Sequence, residues 1–194
     1  DIAIEAIPGT TSYTEQGDRR SITYTERLGV WNAVHGDFSV TASSSLKPEN
    51  GITYTAENVR NRDIGSRKNP LRAWSEGVDG DGTGEFLDIV PDHPAPLSWI
   101  EIRNGYCESD DLFAANNRVK NLTVTLNGKH TFDAELEDIK KHQKILIRGY
   151  TNPVKTIRLT IRSVYPGKSF SDTCITDINL ARRLAKKPEI RGSR

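Results

Sequence analysis

Glu76 and Asp79 are the pair of side chains in this sequence whose types could do acid–base work. Two carboxyl groups on either side of a glycosidic bond can cleave it. Closeness along the chain says nothing about separation across a sugar ring, so glycoside hydrolysis ranks last among the readings kept. The histidines, His35, His93, His130 and His142, are scattered, and none belongs to a recognisable triad motif. His130 follows a turn and is expected to be exposed. Cys107 and Cys174 lack the paired spacing of a zinc site. A disulfide and two free buried thiols stand as equal readings of them. Asp79-Gly80-Asp81-Gly82 begins like a calcium loop. It lacks the third oxygen position and the later bidentate glutamate, so it reads as a turn. No residue is assigned a catalytic role.

Binding is the chemistry better served by these residue types. A sugar presents apolar C–H patches ringed by hydroxyls, so its sites combine aromatic faces with a few directed polar groups. Trp74, before a turn, and Trp99, between Ser98 and Ile100 in a strand, both read as core. Trp31 lies in the N-terminal segment and is expected to cover the main sandwich. Tyr106 follows Asn104-Gly105 at a strand end and is the aromatic expected to reach a loop surface. With Glu76, Asn104, Asn116, Asn117 and Arg118 it makes up the candidate ligand-binding set. Each polar member has a competing role as a brace. Arg118 could bond backbone carbonyls, and Asn116 and Asn117 could cap the preceding loop.

The elements that must position these residues read as strands. Leu122, Val124 and Leu126 alternate up to Asn127-Gly128, and Phe132, Ala134 and Leu136 alternate away from it, which is a β-hairpin signature. Further strands are expected over 38–42, 84–90, 97–103, 144–148, 156–162 and 174–180. The stretches 53–65 and 107–117 read as loops. Eight or so short strands and no convincing helix predict an all-β sandwich or jelly roll. Residues 1–36 are expected to be an N-terminal extension with one short strand, 37–182 the sandwich domain, and 183–194 a basic tail, with Ala181 to Ile190 open to reading as a short helix or as disordered.

The 194 residues suit one domain with its own core. Net charge is +1 and no stretch is long and apolar enough for a membrane span, so neither nucleic acid nor a membrane is expected as partner. The chain starts at Asp1 and contains no methionine, which fits a trimmed exported protein and equally an arbitrary cut. The closing Arg191-Gly192-Ser193-Arg194 is given no functional weight.

A series of short motifs is familiar in its order: Ala42-Ser43-Ser44-Ser45, Ala56-Glu57-Asn58-Val59, Ala73-Trp74-Ser75-Glu76-Gly77, Gly80-Asp81-Gly82-Thr83-Gly84-Glu85, Ile102-Arg103-Asn104-Gly105-Tyr106, Asn116-Asn117-Arg118-Val119-Lys120, Val164-Tyr165-Pro166-Gly167 and Asp172-Thr173-Cys174-Ile175-Thr176-Asp177-Ile178. The series resembles discoidin-like domains, related to galactose-binding jelly rolls, of the type found beside bacterial NAD glycohydrolases as a translocation or glycan-binding domain. The resemblance spans Phe38 to Leu180. It implies a β-sandwich jelly roll with an N-terminal extension that binds through its loops, and it does not imply NAD hydrolysis.

The resemblance also raises a structural calcium ion at Asn61, Arg72 and Asp177. Arg72 puts a guanidinium where a ligand oxygen is expected. The expectation is therefore that Arg72 replaces the ion and pairs with Asp177 or Asp63, and that no cofactor is bound. The function expected is that of a non-catalytic binding module of a secreted, periplasmic or cell-surface protein, with a glycan as partner. A host or cell-surface protein is the alternative partner.

Overall fold

The computed structural model describes residues 10–17, 20–27, 30–35, 37–60 and 72–186, with the backbone alone for 10–31 and 35. Twelve strands follow in chain order: β1 (Thr10–Gly17), β2 (Arg20–Arg27), β3 (Val30–His35), β4 (Phe38–Ala42), β5 (Trp74–Ser75), β6 (Phe86–Pro91), β7 (Leu97–Asn104), β8 (Asn117–Leu126), β9 (His130–Glu135), β10 (His142–Leu146), β11 (Ile157–Tyr165) and β12 (Thr173–Arg183). One layer runs β4-β6-β11-β8-β9. In the other, β12 has β7 and then β10 on one side, and on its other side β5 near its start and β3 near its end. The short parallel pairing of Thr173 and Cys174 with Asn117 and Arg118 joins the layers. This is the jelly-roll sandwich that the strand pattern predicts.

Alternation explains the layers. In β8 and β11, Leu122, Val124, Leu126, Ile157, Leu159 and Ile161 turn one way, and in β7 and β12 Ile100, Ile102, Ile178 and Leu180 turn to meet them in one buried cluster. The β8–β9 hairpin forms as expected. Asn127 and Gly128 take φ of 52° and 68°, the positive pair a two-residue turn needs. The amide of Lys129 closes the turn onto the carbonyl of Leu126 at 3.1 Å.

Four expectations need correction. Residues 107–117 are not all loop, because Asp110–Ala115 form a helix, α1, whose first turn is capped by the Ser109 hydroxyl accepting from the Leu112 amide. Ala56–Val59 form a 3-10 turn. Ala181 to Arg183 are the end of β12 rather than the start of a tail. The N-terminal segment contributes three strands rather than one, and the third hydrogen-bonds along β12 from Leu180 to Arg183. The Trp31 side chain lies outside the described residues.

Trp99 is buried but stands outside the main core, under the ammonium of Lys144 at 4.4 Å from the ring centre. It shares the outer face of β7 with Glu101 and Arg103, beside His142 of β10 and Asp177 of β12. Burial holds the Glu101 carboxyl above its ordinary range, against the attraction of His142 and Lys144. A native pKa raised in this way favours the folded state at low pH, and that contribution is lost as pH rises through it. Glu101→Gln is therefore expected to raise the melting temperature at pH 8 and leave it unchanged near pH 4. An equal shift at both pH values would show that the ionised carboxylate is not the cause.

Candidate functional site

Antiparallel registers place the hairpin tip Asn127-Gly128 and the start of β11 at one end of the sandwich. The start of β8, the end of β11, the start of β12 and α1 lie at the other. All six residues of the candidate set belong to this second end, and all six are buried.

Arg118 is the centre of it. Its guanidinium donates from Nε and Nη2 to the Asp138 carboxylate, and from Nη1 to the carbonyls of Asn116 and Pro166, both at 3.0 Å. Its stem lies against Gly105, where an added Cβ would come within 2.6 Å of the Arg118 Cγ and 2.8 Å of the Phe113 ring. Asn117 takes the amide of Gly167 on its Oδ1 at 2.6 Å and donates to the Ser171 carbonyl at 2.5 Å. The Asn116 amide group donates to the Leu112 carbonyl and so closes α1. Asn104 pairs by both side-chain atoms with the backbone of Val119, at 2.7 and 2.9 Å, as a neighbouring strand would.

Glu76 is fully enclosed and accepts the backbone amides of Val78 and Thr173 at 2.9 and 3.1 Å. Burial pushes its carboxyl above the ordinary range while those two amides pull the other way. Gly82 sits directly over it, with no room for a Cβ. The carboxylate is sealed beneath the 77–82 loop and faces no cleft in which a sugar could be cleaved. That loop is a turn in which the Thr83 amide bonds Asp81 Oδ1 at 3.0 Å.

Tyr106 does not reach the surface. It packs with Ala73 and Cys174 under Leu112, and the half-buried Tyr54 meets it edge-on at 6.4 Å. Arg72 does not pair with Asp177. Its Nη1 lies 3.3 Å from Glu108 and 3.5 Å from the Tyr106 hydroxyl, while the buried Asp177 carboxylate is held by His142 at 2.8 Å and Asn179 at 2.9 Å. Asn61 and Asp63 lie outside the described residues. Among the described residues no group of His, Cys, Asp and Glu is gathered as a metal would need.

Both cysteines are free and buried. Cys107 donates to the Asn104 carbonyl at 3.0 Å, and burial pushes the Cys174 thiol up to about 12. Neither is an activated nucleophile at neutral pH.

What these frames hold up is the surface. Residues 166–171 cross the end of α1, and the amides of Lys168, Ser169 and Phe170 bond the carbonyls of Ala114 and Ala115 at 2.9–3.0 Å. Gly167 lies flush on the Ala115 carbonyl, where a Cβ would not fit. The Phe170 ring at this tightly held loop is 53% exposed. Phe170 is the exposed aromatic among the described residues, Tyr54, Phe113 and Tyr165 are half-exposed at the same end, and the sequence pattern singles out none of them. The signal for Phe170 was its place after Pro166-Gly167, in a turn leading into a strand.

The NAD glycohydrolase translocation F5/8 type C domain family matches residues 31–181. The chain belongs to this family. The F5/8 type C domain of a Bacteroides fragilis protein is similar in structure, with a TM-score of 0.53 and 13% identity over 75% of this chain and 91% of that one. The family 32 carbohydrate-binding module of C. perfringens NanJ, solved with galactose, has a TM-score of 0.50 and 12% identity over 75% and 94%. Mycobacterial arabinofuranosyltransferase AftD gives 0.51 and 17%, over 81% of this chain but only 12% of that one. At these identities the likeness is one of fold. No curated protein matches the chain. No helix among the described residues is long and apolar enough to cross a membrane.

Proposed function

We propose that this domain is a non-catalytic binding module that recognises carbohydrate through the loops at the α1 end of the sandwich. The observation that carries the proposal is Phe170, an exposed aromatic ring on a loop whose backbone is bonded at almost every residue from Pro166 to Ser171. A ring already fixed loses little conformational freedom when a sugar face stacks on it. Tyr54 adds a second aromatic edge, and the Arg72–Glu108 pair and Asp172 supply donors and acceptors for hydroxyls. In this reading Glu76, Asn104, Tyr106, Asn116, Asn117 and Arg118 shape the loops and do not touch the ligand. The galactose in the similar family 32 module makes a hexose the first ligand to try.

No cofactor is part of the proposal, and the module is taken to work in a secreted, periplasmic or cell-surface protein. A second reading, in which the same loops grip a protein during translocation, is favoured by the family's description. A glycan array probed with the purified domain, in calcium and again in chelator, separates the two. The expected result is a hit on one hexose class in both conditions, weakened about tenfold by Phe170→Ala, the cost of one lost aromatic contact. A silent array would transfer the case to the protein partner, and a hit indifferent to both Phe170→Ala and Tyr54→Ala would place sugar binding away from these loops. Binding that needs calcium would restore the metal that Arg72 was argued to replace.

A further inference from the structure

We propose a second binding site, for an anionic saccharide, at the end of the sandwich opposite Phe170. There the hairpin tip and the 150–156 loop enclose an open cleft of about 760 Å³, lined by Asn127, Lys129, His130, Tyr150, Lys155 and Thr156 among others. Arg118 and Leu126 mark the two ends of β8, eight residues apart, so the cleft lies roughly 27 Å from the loops of the first site at ~3.4 Å per residue.

Three observations point to this ligand. The charged side chains lining the cleft are Lys129 and Lys155, both exposed, and no carboxylate is among the lining residues. Such a rim favours a carboxylate or sulfate over a neutral or cationic group. The rings of His130 and Tyr150 pack at 4.8 Å, tilted by 31°, and are half-buried, which gives aromatic surface for the C–H face of a sugar. His130 is thus packed, not exposed as its place after the turn predicts.

The cleft is also built before any ligand arrives. Asn127 donates to the Tyr150 hydroxyl at 2.7 Å and to the Pro153 carbonyl at 2.9 Å, and its Oδ1 accepts the amides of Lys155 and Thr156 at 2.7 and 3.1 Å. One side chain therefore locks the 150–156 loop to the hairpin that carries Lys129 and His130. The Tyr150 hydroxyl accepts from Asn127 and keeps its own proton to donate.

The test is calorimetry on the whole chain with three oligosaccharides of equal length: an oligogalacturonate, a sulfated galactan fragment and the uncharged galactan fragment. With the loop site disabled by Phe170→Ala and Tyr54→Ala, the expected result is binding of one or both anionic probes and none of the uncharged one, weakened about tenfold or more by Lys129→Glu with Lys155→Glu, as loss of charge-assisted contacts requires. Which anionic probe binds decides between carboxylate and sulfate. Both lysines are exposed, so the reversal leaves the fold intact. His130→Ala should also weaken binding, whereas Phe170→Ala should not, which keeps this proposal separate from the loop site. With the loop site disabled, equal binding of the uncharged fragment, anionic binding that survives the double reversal, or tripolyphosphate binding as tightly as the sugars would each overturn it. The last outcome would mean attraction of point charges alone.

Discussion

Replacing Arg118 by methionine is expected to lower stability by about 3 kcal/mol, with the midpoint of urea unfolding falling accordingly. The side chain is 10% exposed and its guanidinium serves four acceptor atoms: both Asp138 oxygens and the carbonyls of Asn116 and Pro166. Breaking a buried ion pair by removing one partner costs roughly 3–5 kcal/mol. Asp138 is more than a third exposed and can recover water, so the lower end of that range applies. The rest of the loss comes from the two carbonyls. A lysine has one ammonium in place of the planar fork and could not serve Asp138 and both carbonyls together, so Arg118→Lys should recover only part of the loss.

The location of the damage distinguishes this residue from an ordinary brace. The carbonyls of Asn116 and Pro166 belong to the two segments that meet beneath Phe170. Amide exchange in the variant should therefore quicken at Lys168, Ser169 and Phe170 while β8 and β11 keep their protection. A midpoint equal to that of the parent would show that water satisfies these groups, and the account of Arg118 as the clamp of the loop face would fail. Uniform quickening across the sandwich would mean that the loop has no stability of its own to lose.

How far the sequence announces this end of the molecule depends on the type of residue. Strands were legible because alternation is local: Leu122, Val124, Leu126 and the Asn127-Gly128 turn announce their hairpin without reference to any other part of the chain. The helix over Asp110–Ala115 was not, because six residues are fewer than two helical turns, too few for an apolar face to repeat, and none of them is buried. Its start and stop lie in Ser109 and Asn116, polar residues that read equally well as loop. The six candidate residues gather at one end of the sandwich but lie buried beneath its loops rather than exposed on them. An asparagine or arginine at a loop has the same letter whether it faces water or holds a carbonyl. Only the fold reveals that Asn104 imitates a strand partner for Val119 and that Arg118 reaches Pro166 across 48 positions. Phe170 was missed for the converse reason, since a lone exposed aromatic has no pattern of its own.

Trp74→Ala should be the most destabilising single change in the described chain, costing about 3–5 kcal/mol, and should leave the domain close to unfolded at 37 °C. The indole is fully enclosed in the main core, and it sits on β5, a strand of two residues that pairs with Cys174 and Ile175 of β12. A strand that short is held by what its side chain buries, so removal of the ring withdraws the anchor as well as the packing. The Nε1–H adds a directed contact to the Ser44 carbonyl at 2.9 Å, which ties the loop after β4 to the core. On either side, Ser75 carries the amide of Leu46 on its carbonyl and donates its own to Tyr54, so both loops and the Tyr54 ring follow Trp74. Trp74→Phe separates the two contributions. It keeps most of the buried ring and orphans the Ser44 carbonyl, so it should cost about 1–3 kcal/mol and loosen residues 44–46 first. If Trp74→Phe matches Trp74→Ala in cost, the hydrogen bond dominates. If Trp74→Phe is neutral, Ser44 finds water and the packing of the ring alone holds the strand in place.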